Sequence, residues 1–136
     1  MGLLIDTDVL ILGEKVGQLN LARWAHHGQA FVSVVTASEL LVGLENANTP
    51  ARHAKRSAYL EYLFSGLTVL GIDLPLARTH ARIVGNLPKN ITIGKHDTWI
   101  AATAIANGHA LLTRNAKDFE KFPGLQLEVW TAPSAG

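Results

Sequence analysis

Short apolar runs that end in oxygen-bearing side chains recur along this chain. Leu3, Leu4 and Ile5 run into Asp6, Thr7 and Asp8; Phe31 to Val35 runs into Thr36, Ala37, Ser38 and Glu39; Ala110, Leu111 and Leu112 run into Thr113, Arg114, Asn115 and Asp118. Runs of this length, bounded by polar residues, are how buried strands are written. The pattern predicts strands at Leu3–Asp6, Ala30–Val34, Thr68–Gly71, Ala110–Thr113 and Leu127–Trp130. Between them the spacing becomes helical. Gln18–His27 places Leu19, Ala22, Arg23 and His26 at helical intervals, and Ala37–Ala47 does the same with Leu40, Leu41, Leu44 and Ala47, with Thr36 as N-cap. Thr49-Pro50 opens a helix to about Ser65 that Gly66 stops; Asp73 and Pro75 open another towards Val84. Asp97–Asn107 is apolar at Ile100, Ala101, Ala104 and Ile105 and ends at Gly108. Pro88–Gly94 reads as the longest surface loop.

Strands alternating with helices predict an α/β fold, a single domain over residues 1–136 with a central, mostly parallel sheet flanked by helices on both faces. About five strands fit the pattern, and the small, polar tail 131–136 is expected to fray. In an open sheet of this kind, residues just past strand ends lie along one edge, where ligands bind. Asp6, Glu39, Asp97 and Asn115 all stand at such places or in the first turns of helices. Clustered carboxylates need positive charge among them, and hard oxygen donors suit Mg²⁺ or Mn²⁺.

Composition narrows the chemistry. The 136 residues hold no cysteine, which removes disulfides, thiolate metal sites and cysteine nucleophiles. The net charge of +1 gives no global basic field, so any nucleic-acid binding rests on local patches. No apolar run reaches the roughly 18 residues of a membrane helix, and Asp6 and Asp8 interrupt the early apolar stretch where a signal peptide would continue. A cytoplasmic protein without membrane contact is expected.

Each candidate also has a plainer reading. Asp6 either serves a ligand or caps the helix that follows, and Asp8 is read as the cap of a helix beginning near Val9. Glu39 stands three residues after Thr36 in a capping box, where its carboxylate would reach back to the N-cap amide. Asp97 is either a site residue or a helix-start acid favoured by the macrodipole. His96 reads as a surface histidine that alternatively touches substrate. Asn115 either caps the turn before Phe119 or offers its amide oxygen to a metal, and Asp118 reads as a surface residue of that turn. Arg52, Lys55 and Arg56 read as a solvated helix face, whereas Arg114, Lys117 and Lys121 flank the proposed site.

Taken together, four segments resemble the PIN-domain family and, within it, the VapC-type toxins of bacterial toxin–antitoxin pairs. They are Leu4-Ile5-Asp6-Thr7-Asp8-Val9-Leu10-Ile11, Ser33-Val34-Val35-Thr36-Ala37-Ser38-Glu39-Leu40, His96-Asp97-Thr98-Trp99-Ile100-Ala101-Ala102-Thr103-Ala104, and Leu112-Thr113-Arg114-Asn115-Ala116-Lys117-Asp118-Phe119. The resemblance spans the whole length and implies a PIN-like fold and an Mg²⁺- or Mn²⁺-dependent endoribonuclease, a hydrolase that uses metal-activated water. By position it implies Asp6 and Asp97 as the main metal carboxylates, Glu39 as the third acid, and Thr7 as the polar residue supporting the first. Asn115 stands where the resemblance leads one to expect a fourth acid. It further implies RNA as substrate, a cognate VapB-like antitoxin and a homodimer. Lys55, Arg56, Arg114 and Lys117 are then candidates for RNA backbone contacts. The helices carrying Leu40, Leu41 and Leu44 and carrying Tyr59, Tyr62, Leu63 and Phe64 offer either ordinary core or an antitoxin surface. Two rivals remain at this stage: a PIN module that binds RNA or protein without catalysis, and a haloacid-dehalogenase-like phosphatase with Asp6 as nucleophile and Asp8 as acid.

Overall fold

The computed structural model describes residues 2–15 and 21–131. Leu19 and the rest of 16–20, and residues 132–136 of the tail, lie outside that range. The described chain runs β1 (Leu3–Ile5), α1 (Thr7–Lys15), a 3-10 helix (Ala22–His27), β2 (Ala30–Ser33), α2 (Val34–Glu45), α3 (Pro50–Gly66), β3 (Thr68–Leu70), α4 (Leu74–Asn86), α5 (Lys95–Asn107), β4 (Ala110–Thr113), α6 (Ala116–Phe119) and β5 (Leu127–Val129).

The five strands form one sheet in the order β3-β2-β1-β4-β5, with every pairing parallel. β1 lies in the middle and is wholly buried, as three consecutive apolar residues predict for a parallel strand covered on both faces. Its side chains alternate. Leu3 and Ile5 enter a core with Val9, Leu10, Leu40, Leu60 and Leu63, while Leu4 faces Ile100, Ala101, Ala104, Phe119 and Phe122 on the other side. The chain builds outward from β1 through β2 to β3, then crosses back to β4 on β1's other flank. The crevice beyond the carboxyl ends of β1 and β4 is therefore the place where strand order reverses, and it is there that open α/β sheets leave room for ligands.

Three expectations change. The described part of the predicted Gln18–His27 helix is a 3-10 turn, in which residues three apart eclipse. Trp24 and His27 accordingly share the buried side, and Ala22, Arg23 and His26 are exposed. Second, α2 begins at Val34, not Ala37, because the Ser33 hydroxyl accepts from the Val35 amide and caps it. Val34, read as the last strand residue, and Val35 of the same apolar run enter the first helical turn, since a local cap outweighs their modest preference for extended backbone. Third, four of the five strands end one residue earlier than predicted; only β4 matches at both ends. The α3 cap by Thr49, the α4 cap by Asp73 and the αL Gly108 that closes α5 are as expected.

A candidate active site of converging acids

β1 delivers Asp6 to the crevice. The residue is 4% exposed and its carboxylate is doubly held: Oδ1 accepts from the Thr7 amide at 2.8 Å, and Oδ2 accepts from the Thr113 hydroxyl at 2.8 Å. Thr113 is the last residue of β4, so this bond joins the two strand ends that define the crevice. The Thr113 oxygen also accepts from the Asn115 amide at 3.0 Å.

Thr7 supports Asp6 through its backbone amide and a second acid through its side chain. Its hydroxyl lies 3.1 Å from Glu39 Oε1 and 3.0 Å from the buried Thr36 hydroxyl. With one proton to donate and the carboxylate as the stronger acceptor, Thr7 orients Glu39, and the Thr36 hydroxyl completes the chain. Because α2 is capped at Ser33, Glu39 stands in its second turn and cannot reach back to the N-cap. The capping-box reading therefore fails. Glu39 instead faces the crevice, with His96 Nδ1 3.4 Å from Oε1.

Asp97 enters from the first turn of α5. Burial pushes its carboxyl up, and the nearby charges of Asp118, Asp8 and Glu39 push it further, with His96 opposing. Asp6 is raised to about 6, chiefly by burial, against the hydrogen bond from Thr113; Asp8 and Asp97 add to the rise. Five acids from four parts of the chain thus feel one another. No lysine or arginine is among the groups acting on either raised carboxyl. Such a pocket of hard oxygen donors short of positive charge fits a divalent cation that retains some of its waters.

Asp8 and Asn115 also differ from expectation. Asp8 lies inside the first turn of α1, one residue past its start, so it does not cap that helix. It accepts from the Asn115 side-chain amide at 2.7 Å. Asn115 makes no side-chain cap on α6; its amide is turned to Asp8. Charge on the α6 side comes from Asp118, which is exposed as predicted but close enough to raise Asp97. Arg114 and Lys117 are exposed beside the crevice. Arg56 is only partly solvated. It pairs with Glu14 at 3.2 Å and donates to the Gly43 carbonyl, tying α3 to α1 and α2.

Sequence reading missed Thr113 and Thr36 as supports of Asp6 and Glu39. Thr113 was legible as a polar residue closing an apolar strand. Nothing local announced that its strand lies beside β1.

The PIN-domain family model matches residues 3–125. This chain belongs to the PIN-domain family. Within it the chain falls among the VapC ribonucleases: it is 43% identical over 128 residues to Ribonuclease VapC1 of Rickettsia felis, covering 93% of this chain and 95% of that one. Among solved structures, VapBC2 of Rickettsia felis bound to a promoter DNA fragment superposes with a TM-score of 0.86 over 96% of this chain and 100% of its own, at 24% identity. DNA-bound VapBC of Salmonella typhimurium gives 0.84 over 96% and 99%, at 26% identity. The PIN domain displaces the phosphatase alternative, which also needed Asp8 as a free acid where it is held by Asn115.

Proposed function

We propose that this PIN domain is a divalent-metal-dependent endoribonuclease and the toxin of a toxin–antitoxin pair. The observation that carries the reading is the group of acids at the reversal of strand order, where Asp6 and Asp97 are both raised and no lysine or arginine is among the groups acting on them. A ribonuclease 43% identical over nearly the whole chain supports it.

In this reading Asp6 and Asp97 hold Mg²⁺ or Mn²⁺, with Glu39 as third acid. The cation supplies Lewis-acid polarisation of a phosphodiester oxygen and a water of lowered pKa. The residues of the chain do the positioning. The Thr113 hydroxyl and the Thr7 amide each fix one oxygen of Asp6, so its orientation is set before anything binds. Thr7 holds Glu39 through Oε1, which aims that carboxylate to orient the attacking water and take its proton. Water is the nucleophile and the RNA 3′ oxygen leaves, so the 2′-hydroxyl takes no part in the chemistry. Preference for RNA then comes from contacts outside the acids. Arg114 and Lys117, both exposed beside the site, are the proposed phosphate contacts.

The partners follow the same proposal: RNA as substrate, a VapB-like antitoxin, and a second copy of the chain. VapB–VapC complexes among the structural neighbours support the antitoxin. Leu40 and Leu63 are core, but Leu41, Val42 and Tyr62 are 45%, 55% and 67% exposed and suit a protein contact. No described helix is long and apolar enough to cross a membrane. Action on cellular RNA places the toxin in the cytoplasm.

Cleavage of total cellular RNA by antitoxin-free protein, with and without Mg²⁺ or Mn²⁺ and beside Asp6→Asn, tests the reading. Discrete metal-dependent fragments that the variant does not produce are expected. Folded wild-type protein that leaves RNA intact with either metal would overturn it.

A further inference from the structure

A second group of metal-binding side chains lies away from the acids. Among the described residues, only His26, His27 and Glu128 form a trio whose ligand atoms all lie within 4.8 Å of one another. Glu128 is the middle residue of β5, the outer strand, and is paired in register with Leu112 of β4. Leu112 belongs to the core face that also buries Trp24 and Trp130, so Glu128 points to the same side as the 3-10 helix. His27, the last residue of that helix, has a side chain 4% exposed and sets its Nε2 3.0 Å from Glu128 Oε1. The His26 ring lies alongside, with centroids 4.2 Å apart, and is exposed.

We propose that His26, His27 and Glu128 form a Zn²⁺ site that fastens the 3-10 helix to the outer strand. Zinc binds imidazole nitrogen and carboxylate oxygen at about 2.0–2.2 Å in tetrahedral geometry, which puts two of its ligands roughly 3.3 Å apart. The His27–Glu128 separation of 3.0 Å is already within a few tenths of that value. The remaining ligand, His26, is exposed, so its ring can close the last distance by rotation. Three protein ligands leave a fourth position for water, on the solvent side where His26 stands. A simple ion pair between His27 and Glu128 would not require the second histidine.

The donor set also sorts metals between the two places. Two imidazoles and one carboxylate select zinc and its neighbours in the transition series, whereas Mg²⁺ favours oxygen and near-octahedral geometry. Imidazole binds a metal only as the neutral base, so protons compete with zinc and affinity falls as pH drops.

The test uses the full chain without a histidine tag, titrated with Zn²⁺ in excess Mg²⁺, with bound zinc counted after dialysis. One zinc per chain is expected in the wild type and in Asp97→Asn. In His26→Ala, where an exposed residue is removed and the fold is safe, binding should weaken by about tenfold or more. Glu128→Gln should weaken it similarly. Co²⁺ in place of zinc should give the visible absorption of a tetrahedral site in the wild type and lose it in His26→Ala. Zinc uptake that survives His26→Ala unchanged, or that disappears in Asp97→Asn, overturns the proposal, as does no uptake at all. Metal binding is the readout throughout, so a failure to cut RNA leaves this test standing.

Discussion

The side-chain amide of Asn115 donates to Asp8 Oδ2 across 2.7 Å and so ties the turn after β4 to the first turn of α1. A neutral donor here lowers the charge crowding of the site while keeping two acids, Asp8 and Asp118, close to Asp97. Asn115→Asp would set two carboxylates against each other at that distance. At a partly exposed site, the repulsion should cost the metal-free protein on the order of 1 kcal/mol. The melting temperature in a chelator should fall, and Mg²⁺ should restore it. An unchanged melt in chelator would mean that the new acid turns away from Asp8.

The raised carboxyl of Asp6 makes the metal-free protein sensitive to pH. Its folded value is about 6, against an ordinary value of 3.8. The folded state therefore holds the proton more tightly than the unfolded chain. This contribution to stability is full below about pH 4 and is lost as pH rises through 6. Asp97, also raised, acts in the same direction. Between pH 4 and 7.5 the loss from Asp6 alone amounts to about 2–3 kcal/mol. Denaturant melts in chelator should show lower stability at pH 7.5 than at pH 5. With saturating Mg²⁺ the difference should shrink or reverse, because the metal binds the deprotonated acids.

Asp6→Asn separates activity from stability. Loss of a central charged ligand should lower the cleavage rate by roughly 10²-fold or more. The same change removes a charge that burial disfavours, so at pH 7.5 without metal the variant should melt no lower than the wild type, and we expect it to melt higher. A large drop in melting temperature would show that the bonds from Thr113 and Thr7 outweigh the desolvation of the charge.

Thr113→Val tests the bond between the strand ends. The hydroxyl donates to Asp6 and accepts from the Asn115 amide, and valine keeps the shape while losing both. About 1–3 kcal/mol of stability should go with them. The Asp6 carboxyl should rise further, since this hydrogen bond is the largest influence lowering it. NMR titration of the carboxyl would register the rise directly, and an unchanged value would discount the bond.

Salt dependence distinguishes cations that meet RNA from those that hold the fold. Arg114→Gln and Lys117→Gln should each reduce the slope of log affinity against log salt by about 0.7 for a single-stranded target. Arg56→Gln should leave the slope alone, because that guanidinium is paired with Glu14 and bonded to the Gly43 carbonyl. Its cost to stability should be at most about 1 kcal/mol, as its side chain is 42% exposed. RNA-binding isotherms at several salt concentrations would show which of the three contributes.

The sequence by itself determined the class of fold and the acids. Unbroken apolar runs such as Leu3–Ile5 and Ala110–Leu112, alternating with helical segments, fit parallel strands buried on both faces, and residues that follow such strands emerge at the sheet's edge. Asp6 was legible for that reason, Asp97 as an acid at a helix start, and Glu39 through the family resemblance of its segment. Caps were legible where side chain and amide are neighbours, as at Thr49 and Asp73. Ser33 was missed because Thr36 and Glu39 supplied a competing local pattern, and only the start of α2 in the folded chain decides between them. What tertiary structure alone decided was adjacency. That β4 lies beside β1 sets Thr113 on Asp6, turns Asn115 to Asp8 and brings Asp118 within reach of Asp97. The first two contacts join residues 107 positions apart, and no periodicity or propensity encodes any of the three, because both describe only a residue and its near neighbours in the chain.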